Sequence, residues 1–396
     1  MLICPLLGVR LCPGLMCNVN HARCKMNNSS HPDVLVVGAG PGGSVAAKYC
    51  VEAGLETVLI EKKTLPRDKV CTGMIMGKWA FELIEEAFGK IPPSVLASPP
   101  ELTGHRLYVA GADVHTLKTH TLLAWRKDLD GWFVRQAKDS GVSVRQNARA
   151  TRLVMDGERI RVDLIQNGSP RTLFPRFVIG ADGATSIIRK AVFPDLKVSY
   201  SGPVRVWYQG DLTLDKNYIH WFFPKRLPRP RFNVNQKDGI ILLEGAGVKG
   251  LSEEIEKALG PYGFDPALKP FKKDGCAIAL LHHPLIDGRF APAMKNVLLV
   301  GDAAGLILPI TFEGIGSAIK SGMAAARSIV QSTRRKEDAA PIYLSAIEGI
   351  INTIRHLYKD QFQLKGKMDP VGQHMTPNQI ADYLVSAYNE TLIQQE

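Results

Sequence analysis

The chain has 396 residues, of which 45% are hydrophobic and 22% are charged. A chain of this length can bury a large core in two domains, and its composition is that of a folded globular protein. No apolar run reaches the roughly 18 residues of a membrane-spanning helix. The formal net charge of +11 favours anionic partners. Nucleic acid is not expected among them, because the basic residues are spread along the chain and no nucleic-acid motif is visible.

The segment before the first predicted strand, residues 1–32, contains four of the chain's seven cysteines. Its apolar stretch is interrupted by Pro5, Arg10 and Pro13, which argues against a signal peptide, and we expect a disordered leader. The cysteine spacing fits no zinc or iron–sulfur pattern, so no metal site is predicted. The other three cysteines are scattered, which indicates a reducing cytosol and a cytoplasmic location.

A glycine-rich turn follows the first apolar strand, and residues 34–43 read VLVVGAGPGG. Gly38 permits a tight strand-to-helix turn, and Gly40 lets a pyrophosphate approach the backbone. Gly43 lets the next helix, predicted over Ser44–Glu52, pack close to the strand. The N-terminus of that helix presents free N–H groups to phosphate oxygens.

A second predicted strand, Thr57–Ile60, ends in Glu61, where a carboxylate can bind a ribose hydroxyl. Strand, turn, helix, strand and acid arrive in order, so this region predicts dinucleotide binding rather than an ordinary glycine turn. The irregular loop 66–73 comes next and contains Cys71, which is either a packed thiol or part of an active-site lining. A helix is predicted over Gly77–Phe88.

Arg126 opens a predicted helix that continues to Ser140. Its guanidinium either stays at the surface or reaches a diphosphate or ribityl oxygen of a cofactor. Strands over Val142–Val144 and Ala150–Val154 are expected to belong with the first βαβ unit.

Two more strand ends carry an acid beside glycine. Asp182 lies between Gly180 and Gly183, where it is either a turn former or a ribose or nicotinamide contact. Asp302 ends the strand before a long helix, and a sugar-alcohol hydroxyl is its expected partner. Gly314 and Ile315 open that helix, whose N-terminus can stabilise negative charge on a flavin.

Short alternating segments between residues 199 and 285 predict an antiparallel sheet that roofs a pocket. The segments are Val204–Gln209, Tyr218–Phe223, Ile240–Glu244 and Ala277–Leu281. Aromatic residues are concentrated there, which is explained either by sheet packing or by an apolar substrate cavity. The tail after about residue 340 is predicted to be helical and amphipathic.

The fold class expected from these elements is α/β, with a Rossmann-like dinucleotide-binding domain (FAD-binding, by the family resemblance below), an antiparallel substrate domain and a C-terminal helical segment. The FAD-binding domain is predicted from residues 33–100, 123–195 and 288–335, and the substrate domain from residues 101–122 and 196–287. The helical segment is predicted over residues 336–396.

Together these motifs resemble the flavoprotein superfamily of p-hydroxybenzoate hydroxylase type. Within it the chain resembles the geranylgeranyl reductases, FAD enzymes that saturate isoprenoid chains. The features that carry this resemblance are PRDKVC at 66–71 with Gly73, WFFPK at 221–225, GDAAG at 301–305, Pro309 and EGI at 313–315. Three positions depart from the family pattern: Thr72 and Phe312 replace glycines, and Ile219 replaces a tyrosine.

The resemblance implies FAD as the cofactor and a role for each matching residue. The expected FAD-binding residues are Gly38, Gly40, Gly43, Glu61, Arg67, Cys71, Arg126, Asp182, Asp302, Gly314 and Ile315. Trp221, Phe223 and Pro224 are expected to bind the substrate. Cys71 and Tyr218 are the candidate catalytic proton donors.

The activity implied is reduction of C=C bonds in geranylgeranyl or related isoprenoid lipids, by hydride transfer from reduced FAD. The expected electron donor is NAD(P)H or reduced ferredoxin, and peripheral contact with a membrane is expected. One alternative is an FAD monooxygenase acting on an aromatic or polyene substrate. Another is a non-catalytic flavoprotein that binds isoprenoids.

Overall fold

A computed structural model describes residues 30–156, 159–223, 232–245, 252–368 and 376–393. Of the predicted leader, only residues 30–32 are among the described residues. Pro224 lies outside them. The strands are β1 Val34–Val37, β2 Thr57–Ile60, β3 Met74–Met76, β4 Leu96–Val109, β5 His115–Ala124, β6 Ser143–Arg145, β7 Ala148–Asp156, β8 Arg159–Gln166, β9 Ser169–Leu173, β10 Phe177–Gly180, β11 Ser199–Ser201, β12 Val204–Gln209, β13 Tyr218–Phe223, β14 Phe232–Lys237, β15 Ile240–Gly245, β16 Lys272–Gly275, β17 Ile278–Leu280, β18 Ala293–Met294 and β19 Val297–Leu299. The α-helices are α1 Pro41–Glu52, α2 Lys78–Phe88, α3 Arg126–Asp139, α4 Ile187–Val192, α5 Ser252–Leu259, α6 His282–Ile286, α7 Ile315–Arg335, α8 Ala339–Ala346, α9 Glu348–Met368 and α10 Pro377–Ile393.

A six-stranded sheet in the order β18-β19-β10-β1-β2-β6 holds the nucleotide motif near its centre. All its pairings are parallel except that of β18 with β19. Its central strands are continuous apolar runs because helices cover a parallel sheet on both faces; β1 is buried along its whole length. The predicted α/β class and the strands at β1, β2 and β10 are confirmed.

The placement of the two strands after α3 was half wrong. β6 joins the parallel sheet beside β2, as expected. β7 instead begins a separate three-stranded antiparallel sheet with β8 and β9. Its partner is the next strand in sequence, which returns beside it as a hairpin.

An eight-stranded sheet in the order β16-β12-β15-β14-β13-β4-β5-β3 forms the second layer. The strands predicted at β12, β13 and β15 are confirmed within it, and β14 was not predicted. The sheet is antiparallel except that β13 runs parallel to β4. The strand predicted over 277–281 was misplaced: β17 pairs with β11 in a two-stranded sheet of its own.

The two faces of the eight-stranded sheet bury different apolar clusters. One face packs Ile219, Trp221 and Phe223 against Leu384 and Tyr388 of α10. The opposite face packs β12, β14 and β15 against α5. The helical tail is confirmed as α8, α9 and α10. Within the described part of the chain, no helix combines the length and apolarity that crossing a membrane requires. The proposed domain boundaries remain a prediction.

Candidate functional site

A cavity of about 940 Å³ lies between the two large sheets. It brings together residues from five separate regions of the sequence that were singled out as site candidates. They are Gly38, Gly40, Glu61, Arg67, Cys71, Arg126, Asp182, Trp221, Asp302, Gly314 and Ile315. The cavity therefore joins the strand ends of the parallel sheet to one face of the antiparallel sheet.

The glycine turn after β1 shows different environments at its three glycines. Gly38 has φ +107°, and a Cβ there would lie 2.4 Å from the Ala181 carbonyl oxygen. A Cβ at Gly43 would lie 1.9 Å from the Gly38 oxygen, so this glycine packs α1 against the turn rather than lining the cavity. A Cβ at Gly40 would meet only Arg67 Nη2, at 3.7 Å, within 4 Å. The backbone at Gly40 is therefore open to the cavity.

Glu61 and the two predicted arginines belong to one buried ionic network. Arg67 Nε lies 3.1 Å from Glu61 Oε2 in an ion pair, and Arg67 Nη1 donates to Asp130 Oδ2 at 3.1 Å. Arg126 donates to both oxygens of Asp130, at 2.8 and 2.9 Å, from one turn earlier on α3. Glu61 Oε2 also accepts the Ala39 N–H, at 3.1 Å. Burial opposes the charge on Arg126, but Asp130 and the nearby Cys71 raise its pKa above the usual value.

Asp182 lies at the end of β10 and closes the start of α4. Its Oδ2 accepts the N–H groups of Ile187 and Ile188, at 2.7 and 3.3 Å. Burial raises the pKa of this carboxyl, although those hydrogen bonds oppose the rise. Its Oδ1 is buried and has no hydrogen-bond partner among the described atoms. Asp182 thus closes the turn with Oδ2, while its Oδ1 is left without a partner among the described atoms.

The turn after β19 is fixed to its neighbours by two basic side chains. Lys69 Nζ lies 3.2 Å from Asp302 Oδ2. Arg189, buried on α4, donates to the Ala303 and Ala184 carbonyl oxygens at 2.9 and 2.5 Å. Arg189 therefore connects the turn that carries Asp302 with the turn that carries Asp182.

The loop that contains Cys71 is held by two buried basic residues of the antiparallel sheet. Arg205 of β12 donates to the Cys71 carbonyl oxygen. Lys237 of β14 donates to the Thr72 carbonyl oxygen and, at 3.1 Å, to that of Ala124. The Cys71 Sγ accepts the Gly73 N–H at 3.4 Å. The antiparallel sheet thereby determines where the thiol lies.

Lys237 is almost fully buried, and its ammonium lies 3.8 Å from the centroid of the Trp125 ring. Burial lowers its pKa from 10.5 to about 7, against the opposing influence of Cys71. Arg205 is neutralised by Asp274, which accepts two hydrogen bonds at 2.8 Å. Asp274 also accepts the Trp207 indole N–H at 3.3 Å, so Trp207 is oriented on the cavity wall.

The structure does not place Tyr218 on the cavity lining, which argues against its role as a proton donor. Side chains alternate across a strand, and Tyr218 is three residues from Trp221 and so points to the other face. Arg106 covers its ring, at 4.2 Å from the guanidinium carbon to the centroid. Phe223 shares the face of Trp221 but lies beyond the cavity lining, in the apolar cluster beneath α10.

Four functional candidates were missed from the sequence: Asp130, Arg205, Lys237 and Glu313. The i,i+4 spacing of Arg126 and Asp130 is the signal that predicts their pairing. Arg205 and Trp207 share a strand face, which predicts a charge beside the aromatic wall. For Lys237 there was no such signal, because β14 itself was not predicted.

A family profile described as an FAD binding domain matches residues 31–223. The protein is an FAD-dependent oxidoreductase. The cavity fits this cofactor by its own features: the open backbone at Gly40, the unpartnered Oδ1 of Asp182 and the helix N-terminus at Gly314. Residues of these three turns would hold the diphosphate, a ribose hydroxyl or the nicotinamide, and the flavin, respectively.

The sequence relatives of this oxidoreductase include two isoprenoid reductases. It is 27% identical over 350 residues to geranylgeranyl diphosphate reductase, chloroplastic, of Arabidopsis thaliana, covering 76% of this chain and 66% of that protein. The chain thus spans slightly less than two thirds of the plant relative. It is 24% identical over 370 residues to digeranylgeranylglycerophospholipid reductase 1 of Methanopyrus kandleri, covering 90% of this chain and 95% of that protein.

Solved structures share the fold of this oxidoreductase. A geranylgeranyl bacteriochlorophyll reductase-like protein from Thermoplasma acidophilum has a TM-score of 0.70 at 20% identity, covering 92% of this chain and 97% of that one. A triple mutant of the flavin-dependent brominase Bmp2 has a TM-score of 0.69 at 15% identity, covering 90% and 95%. At these identities the likeness is one of fold, and the substrate must be argued from the site.

Proposed function

We propose that this oxidoreductase reduces C=C bonds in geranylgeranyl or related isoprenoid chains of lipids. The observation that carries this proposal is the change of character along the cavity. The turns of the parallel sheet line the cavity with polar and charged groups, whereas Met74, Met76 and Trp221 line it from the apolar cluster that continues to α10. The names of the two isoprenoid-reductase relatives support the same substrate class.

The apolar end suits a long hydrocarbon chain rather than a compact polar substrate. Each CH₂ group buried there contributes about 0.8 kcal/mol, so an isoprenoid chain gains much of its binding free energy without a polar contact. The indole N–H of Trp221 is directed to His105 Nδ1, at 3.3 Å. Its ring is therefore fixed as a flat apolar wall for the substrate.

Bound FAD supplies hydride chemistry at this site. The protein's part is to hold the alkene beside it, to exclude water and to provide a proton for the second alkene carbon. Cys71 remains a candidate for that proton, because the loop that carries it lines the cavity and is held by Arg205 and Lys237.

The decisive experiment follows anaerobic reoxidation of the reduced, FAD-loaded protein. Addition of geranylgeranyl diphosphate or a geranylgeranyl glycerophospholipid should restore the oxidised flavin spectrum, and mass spectrometry should show a gain of two hydrogens per bond reduced. A lipid with fully saturated phytanyl chains is the matched control and should leave the flavin reduced.

Failure of every isoprenoid to reoxidise the flavin would overturn the proposal. If the product instead gains oxygen and forms only in air, the monooxygenase alternative is correct. Flavin binding with isoprenoid affinity but no turnover under either condition would identify the non-catalytic alternative.

The proposed partners follow from the same substrate class. Electrons would come from NAD(P)H or reduced ferredoxin. A cytoplasmic protein with a net charge of +11 would collect amphiphiles by peripheral contact with an anionic membrane. Sedimentation with anionic but not neutral vesicles measures that contact, and equal recovery with both would contradict it.

A further inference from the structure

Glu313 is a buried acid on the cavity wall that the proposed function leaves without a role. Its side chain lines the cavity next to the N-terminus of α7, yet the residue is only 3% exposed. One oxygen, Oε1, accepts the Gly316 N–H at 2.8 Å. The other, Oε2, is buried and has no hydrogen-bond partner among the described atoms.

The segment before Glu313 is held in an unfavourable backbone conformation. Ile310 has φ +70° and Phe312 has φ +55°, in the left-handed region that side chains with a Cβ rarely occupy. Such positions are energetically unfavourable and are concentrated at functional sites. The Leu308 N–H donates a hydrogen bond to the main-chain carbonyl oxygen of Glu313 at 2.9 Å, which closes this segment into a compact loop. The fold thus accepts strain where it places Glu313.

The charged surroundings of Glu313 disfavour its ionised form. Burial raises the pKa of this carboxyl from 4.5 to about 7, although N–H groups at the start of α7 oppose the rise. The negative charge of Asp302 raises the pKa of Glu313 further. Asp302 lies beside the next residue of the chain, Gly314, where a Cβ would be 3.3 Å from Asp302 Oδ1. Lys69 pairs with Asp302 and moderates its charge. Asp302, paired with Lys69, is therefore a charged neighbour of Glu313.

We propose that Glu313 is the proton-exchanging residue of the cavity: its Oε2 takes up a proton when the cofactor is reduced and gives that proton to the substrate. The first half concerns this chain and its cofactor alone. The second half rests on the proposed function.

The exchange balances with a dihydronicotinamide as reductant. The reductant delivers two electrons and one proton as hydride, and the Glu313 carboxylate binds a second proton from water. In the second half-reaction the hydride adds to one alkene carbon and the Oε2 proton to the other. The C=C π bond breaks, two C–H bonds form, and Glu313 returns to the carboxylate.

The test measures the reduction potential of bound FAD against pH, which counts protons taken up per two electrons. Wild type should take up one proton more than Glu313→Gln above pH 7, where the acid is ionised before reduction. Below pH 6 the two proteins should behave alike, because Glu313 is already protonated. Ser317→Ala is the matched control: its hydroxyl is also buried and unpartnered, one turn along α7, but does not line the cavity.

Identical pH slopes for wild type and Glu313→Gln would overturn the proposal. If Glu313→Gln fails to fold or to bind FAD, infrared difference spectroscopy on the wild type replaces it. Reduction at pH 8 should then produce a protonated-carboxyl band, and its absence would overturn the proposal equally. Neither measurement uses an isoprenoid, so failure of the proposed substrate leaves this result unaffected.

Discussion

Lys69 Nζ lies 3.2 Å from Asp302 Oδ2, and this ion pair connects the loop after β2 with the turn after β19. The two side chains are 34% and 28% exposed, so solvent screens the pair. Exposed pairs of this kind contribute about 0–1 kcal/mol to folding. The pair is therefore better suited to shaping the cavity than to stabilising the fold.

The first prediction concerns Asp302→Asn. We expect FAD affinity to fall by about tenfold or more, because a charged acceptor for a cofactor hydroxyl is worth roughly 1.5–3 kcal/mol. The free energy of unfolding of the apoprotein should change by less than about 1 kcal/mol. FAD titration and denaturant unfolding measure the two effects. Lys48→Met breaks an ion pair on α1 outside the cavity and serves as the control; unchanged affinity in Asp302→Asn would contradict the assignment.

A second prediction compares two glycines of the same turn. Gly40→Ala should fold normally, since Gly40 has an extended conformation and its Cβ would meet only Arg67 Nη2 within 4 Å. It should nevertheless lose FAD, because the new methyl group enters the space for the diphosphate. Gly38→Ala should destabilise the fold itself, through its positive φ and a 2.4 Å contact with the Ala181 oxygen. Thermal unfolding of both apoproteins and their FAD content after purification measure these effects. Equal stabilities of the two variants would refute the prediction.

Lys237 makes the stability of the protein depend on pH. The pKa of Lys237 is about 7 in the folded protein and 10.5 in the unfolded chain. Between pH 7 and pH 10.5 the unfolded chain therefore binds more protons than the folded protein. The free energy of unfolding contributed by this residue should therefore rise as pH increases from about 7 to 10. Lys237→Met should remove that increment. We expect the stability difference, wild type minus variant, to grow over this range; a constant difference would show that the buried amine keeps an ordinary pKa.

The C-terminus of α7 offers a stabilising substitution. Lys336 caps this helix with φ +56° and ψ +44°, a left-handed conformation that glycine adopts without a Cβ penalty. The side chain is exposed, so little packing is lost. Lys336→Gly should raise the free energy of unfolding by up to about 1 kcal/mol, because it removes the Cβ penalty of the left-handed conformation. Denaturant unfolding measures this change, and Lys336→Ala, which keeps the Cβ, should not show the gain.

Much of the nucleotide end of the site was predictable because its signals are local. Gly38, Gly40, Glu61, Asp182 and Asp302 each follow a short apolar strand directly, and parallel strands place their carboxyl ends at one edge. The position of Tyr218 was also predictable from a local signal. Side chains alternate across a strand, and Tyr218 is three residues from Trp221, so it lies on the other face. That signal was present in the sequence and was not used.

Other parts of the site depend on contacts that no local pattern encodes. Lys237 reaches Thr72 and Ala124 from a strand that is distant in sequence. The misplacement of β7 has the same origin, because a short strand after a helix fits either sheet until its hydrogen-bonding partner is known. The left-handed Phe312 shows the reverse case: glycine is the residue this conformation prefers, and the family usually has glycine there.

The aromatic ring of Tyr388 on α10 lies 5.3 Å from that of Trp221, centroid to centroid. During synthesis the strand that carries Trp221 leaves the ribosome long before α10 does. The wall that Trp221 forms therefore lacks this support until the last helix is made, whereas the turns that carry Gly40, Asp182 and Asp302 all precede that helix in the chain. Cofactor capture can thus precede completion of the wall around Trp221 in a nascent molecule.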